Sequence, residues 1–157
     1  MGHKTNLETS TVRSLFDEPE RTFVHEQYVG HLLRKASQRA SEIFQHIMGE
    51  FDVTPTQFAA LVKLGDEGEV SQNVLGRLTA MDPATILGVV SRLKRRGLVD
   101  SRLDPNDGRR ILLSLPTDGT ELVDAMKAIA HSVTTETLAP LTKAESQTFV
   151  RLLQKLA

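Results

Sequence analysis

The 157-residue chain contains no cysteine. That absence excludes disulfides, thiolate metal sites, a cysteine nucleophile and a thiol redox switch, and it fits a reducing cytoplasm. No apolar run approaches the roughly 18 residues that a membrane span needs, so no membrane partner is expected. The N-terminus, Met1-Gly2-His3-Lys4-Thr5-Asn6, lacks the apolar core of a signal peptide. Catalytic signatures are missing as well. There is no nucleophile–base motif and no phosphate-binding glycine loop, and His25-Glu26 lacks the second histidine of a zinc-protease helix. The histidines (His3, His25, His31, His46 and His131) form no ligand cluster in sequence. A non-enzymatic protein without cofactor or metal is therefore expected. There are no internal repeats and no low-complexity segment.

What is present is mostly helical pattern. Leu32, Leu33, Ala36, Ala40, Ile43, Phe44 and Ile47 recur at steps of three and four, giving a long helix from about Glu26 to Phe51. Thr54-Pro55-Thr56-Gln57 opens a second helix with a capping box and proline at the first position, and Gly65 and Gly68 are expected to end it. Ser71 caps a short third helix through Thr79, with Val74, Leu75 and Leu78 expected inward. Asp82-Pro83 starts a fourth, which stops at Gly97. Two short helices joined through Ala80-Met81 make a helix-turn-helix.

The period then changes. Leu98 to Leu103 and Ile111 to Leu115 read as strands around Asp104-Pro105-Asn106-Asp107-Gly108, a hairpin with a long charged tip. A fifth helix follows Pro116-Thr117, and Thr142-Lys143-Ala144-Glu145 is a capping box for a last one. The fold class is mainly α with a small β-hairpin wing, a winged helix-turn-helix. Residues 1–24 are read as an N-terminal arm and residues 25–157 as a single domain.

Charge singles out the same segment. The chain carries a net charge of −1, yet residues 70–110 hold eight Lys/Arg and four Asp, a local surplus of four positive charges. On a helical wheel, Ile86, Val89, Val90 and Leu93 share the core face of the fourth helix. Ala84, Gly88, Ser91, Arg92 and Arg95 share the outer one. Glycine inside a helix costs roughly 0.5–1 kcal/mol relative to alanine, and close approach to a groove floor would justify Gly88. Thr85 and Ser91 suit base edges or phosphates, and Leu87 a thymine methyl. Arg109 and Arg110 stand where a wing reaches an adjacent minor groove, with Asp107 placed to hold the Arg109 guanidinium. With Ser71, Gln72, Asn73 and Pro83, these residues form the expected DNA-binding set.

The run Asp82-Pro83-Ala84-Thr85-Ile86-Leu87-Gly88-Val89-Val90-Ser91-Arg92-Leu93, followed by Asp107-x-Arg109 in the wing, resembles the MarR family of bacterial regulators. The likeness runs from about Tyr28 onward. It implies an intertwined homodimer in which residues 25–51 and 117–157 supply dimerisation helices and residues 54–115 the winged reader. Double-stranded DNA with a pseudo-palindromic operator is the implied partner. It also implies a small aromatic effector that releases a repressor from a catabolic or efflux operon. The stretch Gly30 to Arg39 resembles members that sense aromatic carboxylic acids, making Tyr28, His31, Arg34 and Gln38 the candidate ligand residues, with Arg34 on the carboxylate. The competing readings are a metal-responsive regulator and a winged helix used as a protein-interaction module.

Overall fold

A computed structural model describes residues 24–157; the expected arm, apart from Val24, lies outside the described residues. The chain divides into two compact units, Met1–Arg39 and Ala40–Ala157. In the first, a 3-10 turn, His25–Gln27, precedes the start of helix α1 (Val29–Met48). Leu32 and Leu33 are exposed on this part of α1.

In the second unit, Phe44 and Met48 at the end of α1 are buried. A 3-10 turn (Gly49–Phe51) leads to Asp52, whose φ of 49° is left-handed, a conformation that Asp tolerates better than most residues. Helix α2 (Pro55–Glu67) starts from the predicted capping box. The Thr54 hydroxyl accepts from the Gln57 N–H, and the Gln57 side chain accepts from the Thr54 N–H. Gly65 does not end α2, as expected from sequence, but lies within it. A β-carbon there would stand 3.3 Å from Val123, so the glycine serves close packing, and Gly68 alone terminates the helix at φ 78°.

A strand unforeseen in the sequence, β1 (Val70–Ser71), comes before α3 (Gln72–Leu78). Thr79 closes α3 by donating its hydroxyl to the Leu75 carbonyl, and Ala80 turns the chain at φ 52°. Helix α4 (Pro83–Arg95) runs to Gly97, which adopts φ 69° as predicted. Strands β2 (Asp100–Asp104) and β3 (Asp107–Ser114) follow, then α5 (Gly119–Leu138) and α6 (Lys143–Leu153). The Thr142–Glu145 capping box opens α6 as expected.

The sheet order is β1-β3-β2, all antiparallel, with Val70 opposite Leu113 and Arg102 opposite Leu112. The hairpin is tighter than its sequence suggested. Strand pairing continues to Asp104 opposite Asp107, leaving Pro105-Asn106 as the tip. Ile86, Val89 and Leu93 of α4 are buried with Leu61 and Leu64 of α2, Leu75 of α3, Leu113 of β3, and Val123 and Met126 of α5. Truncating one of these, such as Leu93→Ala, costs about 2–5 kcal/mol. Leu78 departs from its inward assignment and is exposed, and Val74 is half-buried. The core thus clamps the inner face of α4 and leaves its outer face open.

Candidate nucleic-acid interface

The N-terminus of α4 is fixed by Asp82. One carboxylate oxygen accepts from the backbone N–H groups of Ala84 at 3.0 Å and Thr85 at 2.9 Å, and the other accepts from the Thr85 hydroxyl. These bonds, the Thr85 hydroxyl above all, hold the Asp82 carboxyl below the usual carboxylate range. The Thr85 proton is therefore committed to Asp82, which leaves the hydroxyl as an acceptor toward any external donor.

Pro83, Ala84, Leu87, Ser91, Arg92 and Arg95 are all exposed along the outer side of α4. At Gly88, a β-carbon would stand 3.3 Å from Nη1 of Arg92. The glycine gives the Arg92 guanidinium a seat against its own helix, so the basic group lies over the middle of α4. This is a local reason for Gly88 that the wheel alone did not supply.

The wing corrects one sequence expectation. Asp107 does not hold the Arg109 guanidinium; its Oδ1 accepts from the Arg109 backbone N–H at 3.1 Å. It shapes the turn, and the Arg109 side chain stays exposed. Asp104 shapes the other side by accepting from the Asn106 N–H at 2.9 Å, and its Oδ2 lies 3.8 Å from Nε of Arg110. Arg102 spans the sheet to Glu69, donating from Nε at 2.7 Å; that hydrogen bond raises the guanidinium pKa further. Leu103 and Ile111 form an exposed cross-strand apolar pair.

A cleft of about 550 Å³ beside α3 and β3 is lined by Ser71, Gln72, Asn73, Arg77, Asp107, Arg109 and Arg110. Ser71 is nearly buried, and its hydroxyl caps α3 by accepting from the Val74 N–H. Gln72 and Asn73 are more open.

Arg96, absent from the expected set, ties the end of α4 to the corner after α1. Its guanidinium donates to the carbonyls of Phe51 (3.2 Å) and Asp52 and lies 3.6 Å from the Asp52 carboxylate. No local signal in the sequence joins positions so far apart.

In the first unit, Nη2 of Arg34 meets Nδ1 of His31 at 3.3 Å, and the His25 and His31 rings pack edge-on with centroids 4.5 Å apart. Partial burial, then the nearby His25, Arg34 and Lys35, push the His31 pKa down. That favours the neutral ring, whose Nδ1 accepts from Arg34. Tyr28 stands just before α1, and Gln38 lies one turn beyond Arg34. Among the described residues no three His, Asp or Glu side chains gather into a metal-sized group, and no helix is long and apolar enough to cross a membrane.

A helix pair followed by a β-hairpin wing, which β1 extends to a three-stranded sheet, with a basic outer face on the second helix, defines a winged helix-turn-helix DNA-binding protein. Residues 51–110 match the MarR family. The chain is 41% identical over 130 residues to the HTH-type transcriptional repressor NicR of Pseudomonas putida, covering 83% of this chain and 82% of that protein. It is similar to a probable transcriptional regulator from Pseudomonas aeruginosa, with a TM-score of 0.78 and 47% identity over 83% of this chain and 97% of the other. It also resembles Bordetella bronchiseptica BpsR, whose DNA binding is regulated by 6-hydroxynicotinic acid. That likeness has a TM-score of 0.80 and 39% identity over 87% and 97% of the two chains. The chain belongs to the MarR family of transcriptional regulators.

Proposed function

We propose that the protein is a cytoplasmic, homodimeric repressor released from a pseudo-palindromic operator by a small aromatic carboxylic acid. The observation that carries the DNA reading is the exposed basic face of α4, with Arg92 seated over Gly88 beside Arg95, followed in the chain by a wing bearing Arg109. In this reading α4 lies in the major groove, and Arg109 and Arg110 reach the adjacent minor groove. Residues 54–115 are the reader. Residues 25–51 and 117–157 are the dimerisation helices, a role supported by the exposed apolar side chains Leu32 and Leu33 on α1 and Phe149, Leu152 and Leu153 on α6.

The effector reading is supported by BpsR and its response to 6-hydroxynicotinic acid. Arg34 offers a guanidinium matched to a carboxylate, with His31 against it and Tyr28 and Gln38 as neighbours along the chain. The controlled genes on this reading serve aromatic-compound breakdown or efflux. A coupling of about 1–3 kcal/mol between effector and DNA changes operator affinity roughly 5–150-fold.

The test is a thermal-shift panel of aromatic acids, 6-hydroxynicotinic acid included, with release of labelled operator measured for each binder. Arg34→Ala is expected to blunt release while leaving operator affinity intact. Equal loss of both would make Arg34 structural, and a panel without any releasing acid would overturn the effector assignment.

A further inference from the structure

We propose that Arg77 is a DNA-backbone contact, and that the cleft between α3 and β3 seats the sugar–phosphate strand lying between the two grooves the protein enters. The proposal rests on the DNA-binding reading above and adds to it a residue and a surface.

The charge in the cleft is the first ground. Arg77 projects from the last turn of α3, and Arg109 and Arg110 line the same space from β3. Three arginines and a single acidic residue, Asp107, line this space of about 550 Å³. The Asp107 carboxylate accepts from the backbone N–H of Arg109. Arg110 has a loose partner, Asp104 at 3.8 Å, and Asp104 also accepts from the Asn106 N–H. Like charges gathered this way repel one another and concentrate anions from solvent. Arg96 and Arg102 behave differently: each is held by oxygens of its own chain and is not available in the same way.

Groove geometry is the second ground. Adjacent major and minor grooves of a duplex are separated by one sugar–phosphate strand. With α4 in the first and the wing in the second, that strand has to cross the space between the helix pair and the hairpin. The helix preceding a recognition helix crosses the backbone in such dockings. Here that helix is α3, and the side chain it presents to the cleft from its last turn is Arg77. Gln72 and Asn73, on the same wall, add neutral amide donors of the kind that hold phosphates. A contact of this sort positions the protein without reading sequence.

The experiment compares wild type, Arg77→Ala, Arg77→Lys and Arg109→Ala as full-length proteins. Two probes are used: a mixed-sequence duplex of roughly 30 base pairs, about three helical turns, and an operator selected from a random library. Affinity is measured by anisotropy between about 50 and 200 mM salt. Arg77→Ala is expected to lower the slope of log K against log salt by about 0.9 per reader, or about 1.8 for a dimer. It should weaken both duplexes by the same factor, and Arg77→Lys should restore the slope.

An unchanged slope in Arg77→Ala, while Arg109→Ala lowers the wild-type slope, overturns the cleft assignment and spares the regulator reading. Weakening confined to the operator also overturns it, because Arg77 would then touch bases. No salt-sensitive duplex binding by wild type would overturn the regulator reading, and the cleft with it. Thermal unfolding of each variant separates these outcomes from loss of fold.

Discussion

Helices α4 and α6 are built by the same rule and leave opposite remainders. Each is amphipathic and carries an N-cap side chain, Asp82 or Thr142. In α4 the apolar face of Ile86, Val89, Val90 and Leu93 is buried by the chain's own core, and a basic, small-residue face is left over. In α6 the apolar face is what is left over, with Phe149 at 38% and Leu152 at 47% exposure. An exposed arginine is well solvated and ready for an anion. An exposed leucine forgoes roughly 25 cal/mol for each Å² left uncovered. One helix is complete within a single chain and open to a polyanion. The other is incomplete within a single chain, and under the proposed assembly a second copy completes it.

The largest effect is expected at α6. Leu152→Asp combined with Leu153→Asp is expected to yield monomers by light scattering and to weaken operator binding about 10²–10⁴-fold through lost bivalency. A dimer that survives both charges would mean that α6 is not the contact. A smaller effect is expected at the start of α4. Asp82→Ala removes the cap and frees the Thr85 hydroxyl, and operator affinity should fall with the dimer intact.

The pH dependence at Asp82 follows from the same bonds. Because the folded-state pKa is lowered, the cap's contribution is complete above the ordinary aspartate range and is lost as pH falls through the lowered value. In wild type, helix content measured against pH should therefore show a low-pH loss that Asp82→Ala lacks. The smallest change is also the sharpest test of how α4 is used. Gly88→Ala should raise stability by about 0.5–1 kcal/mol, since only the flexible end of Arg92 stands in the way. It should nonetheless weaken operator binding by displacing that guanidinium. A variant more stable and equally tight would remove Arg92's seat from the account.

How much of this was legible in the sequence depended on the range of the signal. Asp82-Pro83 at one end of α4 and Gly97 at the other are local chemistry, as are both capping boxes, and all four read correctly. The inner face of α4 was legible because its period of 3.6 residues is local too. Strand β1 was not: two residues, Val70 and Ser71, carry no period, and their partners Leu113 and Leu112 are remote in the chain. Gly65 looked like a helix stop because the neighbour that requires its small size, Val123, is likewise remote.

The basic surplus of residues 70–110 is legible in the sequence, but which of its charges are already engaged is not. Arg102 belongs to Glu69, 33 positions away, and Arg96 to the carbonyls of Phe51 and Asp52, about 45 positions away. Asp107 does bond Arg109, but at the backbone N–H and not at the guanidinium. Two positions of separation favour a turn bond to the Arg109 backbone over a bond to its long side chain.

A hydroxyl-radical footprint of the dimer on its selected operator tests the paired readers directly. Two winged readers should protect two patches on one face of the duplex, centred about one helical turn or roughly 34 Å apart. Each patch should weaken in Arg109→Ala. A single patch, or two whose spacing is not a whole number of turns, would contradict the paired-reader account.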